Sequence, residues 1–527
     1  MKIIIYLTSL LIITQGIAIA EVVNMSDLGR VPANSPAVKV LTELYLSADI
    51  LPPSQESLMT YDDIKAFKQL WQIQVSNPDI QQTEILSQLK SLLTSSTSQL
   101  KGKRPHFSLG AGMDFLQKPA FVQSDSEAVY FRTFQDRDFM TKYAQRGSFF
   151  NFGMSNYFSE NLFVSADFRA RDDWEKLQKR DVHFPRNLRD FNYDINRKVH
   201  LIFRYRAMKI LLGRDRTQLG VGEHGRLLLS DNIPPLDQIR FYYRYRDQLT
   251  FNSIIAPVKF YSEPGVTEKF LVAHRLEWHP VARIRVGLSE SLVTNQKVRA
   301  AYLNPFMIFH NVSDYALKRN MMGALDVRVL WSSDLLTYLT VLIDELDVSL
   351  LENVEKGKNR QAIGIQAGFK YFNPLGLPQS ILSAEYVHLD KWLYNYPYAD
   401  GSLTYVYEEE RFYQGQFLFN RFIGHYLGAN ADALFLDYAL GGITFIFQAI
   451  DQGIVPIYQP AFTSTAEDIR EKKTIFGLSY SGVLPNKKFS LRGGIFYTTA
   501  RNFHNEEGRT EHYPELWINL QHELLSW

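Results

Sequence analysis

The chain of 527 residues carries 57 Lys and Arg against 56 Asp and Glu, a net charge of +1, and has no cysteine. Balanced charge without a basic tail gives no support to a nucleic-acid partner, and the missing thiols exclude a disulfide framework and a cysteine-linked lipid anchor. No later stretch approaches the roughly 20 apolar residues of a spanning helix, so membrane entry would require a closed β-barrel, which leaves no unpaired backbone in lipid.

In chain order, residues 1–20 read as a secretory signal: Lys2, an apolar run over 3–13, and Ala18-Ile19-Ala20 before Glu21. From 36 to 93 the apolar period is helical. Ser35-Pro36 is a cap and first-turn pair, followed by Val38, Leu41, Leu44 and Tyr45. Thr60-Tyr61-Asp62-Asp63 opens a second helix with Ile64, Phe67, Leu70 and Trp71 on one side, and a third is expected over 83–93. A polar linker ends at Lys101-Gly102-Lys103-Arg104. Residues 21–104 are thus expected to form a helical periplasmic module and linker, too small to bury much alone and docked at the barrel mouth.

From 105 to 527 the period is two. Over 162–171, Leu162, Val164, Ala166, Phe168 and Ala170 share one face, while Ser165, Asp167, Arg169 and Arg171 share the other with Phe163. Tight turns are predicted at 159–161, 207–208, 247–248, 279–282, 332–335 and 484–487. Longer polar connections fall at about 118–147, 172–198, 215–238, 294–320, 390–411, 451–472 and 500–512. Short turns alternating with long loops are what the two ends of an outer-membrane barrel produce, and 14% aromatic residues suit its girdles. The expectation is an all-β, antiparallel transmembrane barrel of about 18 strands, with a small N-terminal α-helical module, in the outer membrane of a Gram-negative-type bacterium. The stretch 420–433 is too long for a short turn. In the final segment Ile518, Leu520 and Leu524 share one face and Leu525 and Trp527 the other, which requires a bulge. An aromatic end resembles the signal read by the outer-membrane assembly machinery, an expected partner beside outer-membrane lipid.

Arginine concentrates on the polar face of these segments: Arg204 and Arg206, then Arg240, Arg244 and Arg246, then Arg275, Arg283 and Arg285. A lipid-facing Arg near the midplane costs about 2–4 kcal/mol, so these side chains are expected to face the lumen. They either pair with acids such as Asp167 and Glu277 to hold the wall, or offer forked donors to an anionic or hydroxyl-rich ligand. Between 390 and 411, Trp392, Tyr394, Tyr396, Tyr398, Tyr405 and Tyr407 sit among Asp390, Asn395 and Asp400. Such a loop either stacks on sugar rings, supplies girdle residues, or packs on itself.

Several blocks resemble the Wzi-type capsule-assembly outer-membrane proteins: Leu212-Gly213-Arg214-Asp215 with Gly220-Val221-Gly222 and the 227–235 run, then His274 to Trp278 with Gly287 to Glu290. Tyr302 to Phe306, Leu342 to Glu345 and Gly424 to Asp432 follow in order. The resemblance implies an 18-stranded barrel lectin for capsular or other exported polysaccharide, obstructed by its N-terminal helices and acting as an anchor rather than an open pore. It adds Arg214 to the ligand-contact candidates Arg204, Arg206, Arg240, Arg244, Arg246, Arg275, Trp392, Tyr394, Tyr396 and Tyr398. Thr217-Gln218 stands where the family often has tryptophan.

No catalytic constellation emerges. There is no Gly-x-Ser-x-Gly elbow, and nothing places His310 beside a nucleophile. Alternation sends Asp344 away from Glu345, so the group with Asp347 does not converge on calcium. Gly220-Val221-Gly222 is expected in a surface loop and is too small a motif for a phosphate cradle. No cofactor, metal or enzymatic activity is expected. A polysaccharide anchor and an anion-selective porin or substrate channel remain in contention, with an outer-membrane enzyme a distant third.

Overall fold

The computed structural model describes residues 106–117, 150–159, 161–172, 191–230, 232–233, 235–245, 248–260, 269–295, 302, 304, 309, 319–344, 362–377, 380–395, 403–412, 416–454, 469–483 and 489–526. The expected signal and helical module lie outside the described residues, as do Arg246, Tyr396 and Tyr398.

The strands follow in chain order. The first seven are β1 His106–Gln117, β2 Phe150–Ser159, β3 Leu162–Asp172, β4 Phe191–Tyr205, β5 Met208–Asp215, β6 Leu236–Tyr245 and β7 Leu249–Phe260. Next come β8 Lys269–Val281, β9 Ile284–Thr294, β10 Arg319–Ser332, β11 Leu335–Asp344, β12 Ala362–Phe372 and β13 Ser380–Leu389. The rest are β14 Val406–Phe412, β15 Gln416–Phe422, β16 Ala431–Leu440, β17 Ile443–Gln452, β18 Glu471–Val483, β19 Phe489–Arg501 and β20 Thr510–Ser526. Of these 20 strands, β14 and β15 form a hairpin outside the barrel order, because β13 pairs directly with β16; β14 touches the wall through a short parallel pairing with the end of β7, Glu408 with Lys259 and Glu409 with Phe260. The remaining 18 are antiparallel neighbours, and β1 pairs with β20 to close the barrel. Closure pairs every strand edge, the condition for crossing lipid with strands.

Alternation decides which way each side chain points. In β10, Met322, Ala324, Asp326 and Leu330 are buried inward while Leu325 and Trp331 are exposed outward. The outer face carries Leu288, Ile495 and Phe476 to lipid, and Phe158, Tyr205, Tyr245, Trp278, Trp331 and Tyr371 ring the short-turn end as an aromatic girdle. All seven expected long connections open at the other end, joined by two more, at 261–268 and 345–361. The awkward stretch 420–433 is the return of the β14–β15 hairpin from inside one long loop, 390–430. The predicted bulge is present: the β1–β20 register shifts where Leu109 and Gly110 oppose Leu525 and Glu523.

Candidate functional site

Two long loops turn inward rather than outward. Loop 3 (216–235) and loop 7 (390–430) bury Leu219, Leu227, Leu228, Leu229 and Ile233 against Leu393, Tyr394, Leu403, Tyr405, Phe422, Ile423 and Leu427. The same core reaches inward-facing residues of β7–β13 and β16–β19, among them Ile254, Leu271, Met322, Leu342, Val387 and Phe435. This apolar cluster packs both loops against the inner wall as an internal plug: each buried Leu contributes about 1.5–3 kcal/mol to keeping the loops inside.

Polar bonds knit the two loops. The Ser230 amide donates to Ile423 O at 2.9 Å, Asn232 Nδ2 to Phe422 O at 2.7 Å, and Arg421 Nη1 to Asn232 O at 2.8 Å. Tyr394 is the keystone of loop 7. Its backbone is left-handed (φ 70°), and its amide donates to Asp344 Oδ2 at 2.7 Å. Its hydroxyl donates to Leu227 O at 2.6 Å and accepts from the His425 amide at 3.1 Å. Tyr405 stacks on its ring with 5.8 Å between centroids. Burial pushes both phenols up, so each stays protonated as a donor.

Loop 3 is latched at its tip. The buried Glu385 carboxylate on β13 accepts from the Glu223 amide at 2.7 Å, the His224 amide at 3.1 Å and the Tyr338 hydroxyl at 2.6 Å. Gly368 makes this reach possible, since a Cβ there would lie 2.4 Å from Tyr338 Oη. His224 Nε2 meets Asp437 Oδ2 at 3.0 Å, and its ring stacks on Phe435 at 4.3 Å. Glu223 pairs with Lys370 at 2.8 Å, and Gln366 Nε2 donates to Gly225 O at 2.8 Å. Gly222 is required in the tip: its φ is 148°, and a Cβ would lie 2.3 Å from Gly225 O.

Charge at the latch is set by neighbours. Burial opposes the His224 imidazolium, but the hydrogen bond and charge of Asp437, with Glu385 and Glu223, outweigh it and raise its pKa. Burial likewise opposes ionisation of Glu223, yet Lys370 foremost, then His224 and Arg226, hold that carboxyl below the usual range. His425, buried beside the tip, goes the other way: burial, then the nearby His224 charge, depress it to about 3. Being neutral, it accepts the Leu427 amide at Nδ1, 3.3 Å away.

Nearer the short turns lies an ionic hub. Arg275 makes two hydrogen bonds to Asp326, one to Glu277 at 3.1 Å and one to Ser289 at 3.1 Å. Glu277 also faces Arg285 at 3.7 Å, Arg328 at 3.6 Å and His279 at 2.8 Å. Inward-facing arginine here is paired with acid, as the wall-holding reading requires.

The other sequence candidates separate. Arg204, Arg240 and Arg244 lie on the inward face, and Arg240 Nε donates to Asn252 at 2.8 Å. Arg206 is not in a strand: it occupies a left-handed position (φ 53°) in the short turn, over the Tyr205 ring. Arg214 points outward, beside the exposed Leu212, and is bidentate to Asp237 at 2.8 and 2.5 Å. Trp392 and Tyr394 are buried in the plug, so the expectation of exposed stacking faces is corrected. Gly220-Val221-Gly222 is likewise inside the lumen and not in a surface loop. Sequence reasoning missed Tyr338, Glu385, His224 and Asp437.

No protein-family model and no curated protein sequence matches the chain. Among solved structures the chain is similar to Escherichia coli Wzi, described as an outer-membrane protein involved in group 1 capsule assembly and a carbohydrate-binding β-barrel. The identity is 12% and the TM-score 0.52, over 92% of this chain and 96% of that one. Two Pseudomonas aeruginosa structures, OccD3 and OccK5, match at TM-score 0.42 with 11% and 12% identity, each over 80% of this chain and 92% and 98% of theirs. This chain has the closed, antiparallel fold of an outer-membrane β-barrel. At 12% identity the likeness to Wzi concerns fold alone.

Proposed function

We propose that the barrel is a closed, non-enzymatic anchor that binds capsular or another exported surface polysaccharide at its long-loop end. The observation that carries the reading is the apolar plug: a channel for solutes needs a wet, polar path, and here leucines and tyrosines of loops 3 and 7 occupy it. Pairing of the Arg275 hub supports the same reading, since guanidiniums engaged with Asp326 and Glu277 hold the wall. The carbohydrate binding described for Escherichia coli Wzi lends support from a barrel of similar fold.

The test is single-channel recording on the full chain in planar bilayers, against a variant with 217–229 replaced by a Gly-Ser linker, beside retention of surface polysaccharide by cells with and without the protein. A silent full chain, a conducting variant and polysaccharide lost with the protein are expected. Steady anion-selective conductance in both forms, with polysaccharide retention unchanged, would overturn the anchor in favour of a porin.

A further inference from the structure

The outward face of β16–β19 grades from apolar to charged toward the long loops. Leu436, Phe447, Phe476 and Tyr497 form one row of direct cross-strand neighbours. Four residues higher on the same strands the row is Asp432, Asp451, Lys472 and Arg501. At about 3.3 Å per residue, that is about 13 Å of strand above the exposed Phe476 and Tyr497, and somewhat less in depth once the strands tilt. With Phe476 and Tyr497 facing lipid, the charged row lies at the long-loop edge of the apolar band, where headgroups meet the wall.

Two like-charge contacts lie in this row, and like charges directly opposite on a sheet repel. The chain resolves the first itself. Arg470 reaches both Asp432, at 3.0 Å, and Asp451, at 2.5 Å, while His388 holds the other Asp432 oxygen at 2.7 Å. The second is left to the surroundings. Among the described residues Lys472 has a single carboxylate neighbour, Asp451 at 3.9 Å, and its side chain is 63% exposed. Arg501 is exposed and has no ion pair among the described residues. Two adjacent cations on a lipid-facing wall, one step above an aromatic belt, call for an anion carried by the membrane itself.

We propose that Lys472 and Arg501 seat a phosphate of an outer-leaflet lipid headgroup, fixing a specific annular lipid against β18 and β19. The geometry suits it: an ammonium and a guanidinium side by side offer several charge-assisted donors to one phosphate. A free anion has no reason to gather beside an apolar wall, whereas a headgroup is held there by its own chains. The proposal does not depend on the polysaccharide reading.

The test uses the full chain in detergent micelles, with a phosphorylated glycolipid and its dephosphorylated counterpart as probes and bound lipid counted by native mass spectrometry. The wild type should prefer the phosphorylated form by about tenfold or more, two cations near a membrane surface each contributing a few-fold. The K472Q/R501Q double variant should lose the preference and K472R should keep it. Both variants alter only exposed side chains and should keep the heat-shifted electrophoretic mobility of the closed barrel. An undiminished preference in K472Q/R501Q overturns the proposal. So does full displacement of the glycolipid by equimolar inorganic phosphate, which would make this a free-anion site.

Discussion

Removing the Glu385 carboxylate should release loop 3. In the latched state it accepts three donors: the Glu223 and His224 amides and the Tyr338 hydroxyl. Glu385→Ala strands all three, and each buried donor left unmade costs about 1–3 kcal/mol. The Glu223 side chain is 35% exposed, so water reaching this tip recovers part of this. A net loss of about 3 kcal/mol multiplies the released population by about 100, at about 1.4 kcal/mol per factor of ten. Glu385→Gln keeps one acceptor oxygen and should release loop 3 by only about tenfold. The absence of native cysteine gives a clean assay. Ser230 is 1% exposed in the middle of the plug, and its hydroxyl accepts the Arg226 amide at 3.2 Å. A Ser230→Cys thiol would react with a soluble maleimide only when the loop leaves, so its labelling rate tracks the released fraction. Labelling of the Glu385→Ala form within twofold of its parent would refute the reasoning, and would mean that the apolar contacts of 227–229 alone hold the loop.

Two further outcomes follow from burial and charge. His425 is held neutral with a pKa of about 3, while a released His425 titrates near 6.5, so the released form binds a proton the plug does not. Plug stability is therefore lost as pH falls below about 6.5, by about 1.4 kcal/mol per unit. His224 has the opposite sign: with its folded pKa raised, its contribution is full below about 6.5 and lost as pH climbs through the raised value. His425→Asn should flatten the acid limb of Ser230→Cys labelling between pH 5 and 7, normalised to a free thiol; an unchanged limb would place the sensitivity elsewhere. Arg275→Ala leaves the buried Asp326 and Glu277 short of their cation, at about 3–5 kcal/mol, whereas Arg214→Ala removes a pair whose side chains are 38% and 42% exposed, worth under about 1 kcal/mol. The temperature of the heat-induced mobility shift should fall clearly for the first and barely for the second.

The barrel was legible because lipid and lumen impose opposite demands on alternate residues. Ser165 and Asp167 inside, Val164 and Phe168 outside, is the alternation of a two-sided wall, and its recurrence between short and long connections separates a barrel from a soluble sheet. Even the bulge near Leu525 could be read, since a register fault must be absorbed somewhere. The plug was not legible by period, because loops 3 and 7 follow none. The signal it did leave was composition: Leu227-Leu228-Leu229 and Trp392-Leu393-Tyr394 are too apolar for segments assigned to water. Arg214 misled for a different reason. Ile210, Leu211 and Leu212 make both faces of β5 apolar, so alternation there could not say which way Arg214 points. The latch escaped because its parts come from loop 3, β11, β13 and β16, and only the closed sheet brings Tyr338, Glu385 and Asp437 to one tip.

The buried tyrosines bear on how glycan contact can be tested at all. Aromatic rings among hydrogen-bonding groups are shared by sugar platforms and by loops that seal themselves, so that mixture in sequence does not separate the two. The backbone of loop 7 does. Tyr394 is turned into a left-handed conformation, its hydroxyl joins Leu227 to His425, and its ring lies against Tyr405 and Phe422. A ring with both a neighbour on its face and a hydroxyl tied to two loops cannot also stack on an external saccharide. Truncating Trp392 or Tyr394 therefore acts first on the seal, and any loss of polysaccharide in such variants would come with conductance. Under the proposed anchor reading, a variant that tests glycan contact is one that leaves conductance unchanged, and residues of the shared core of loops 3 and 7 do not meet that condition.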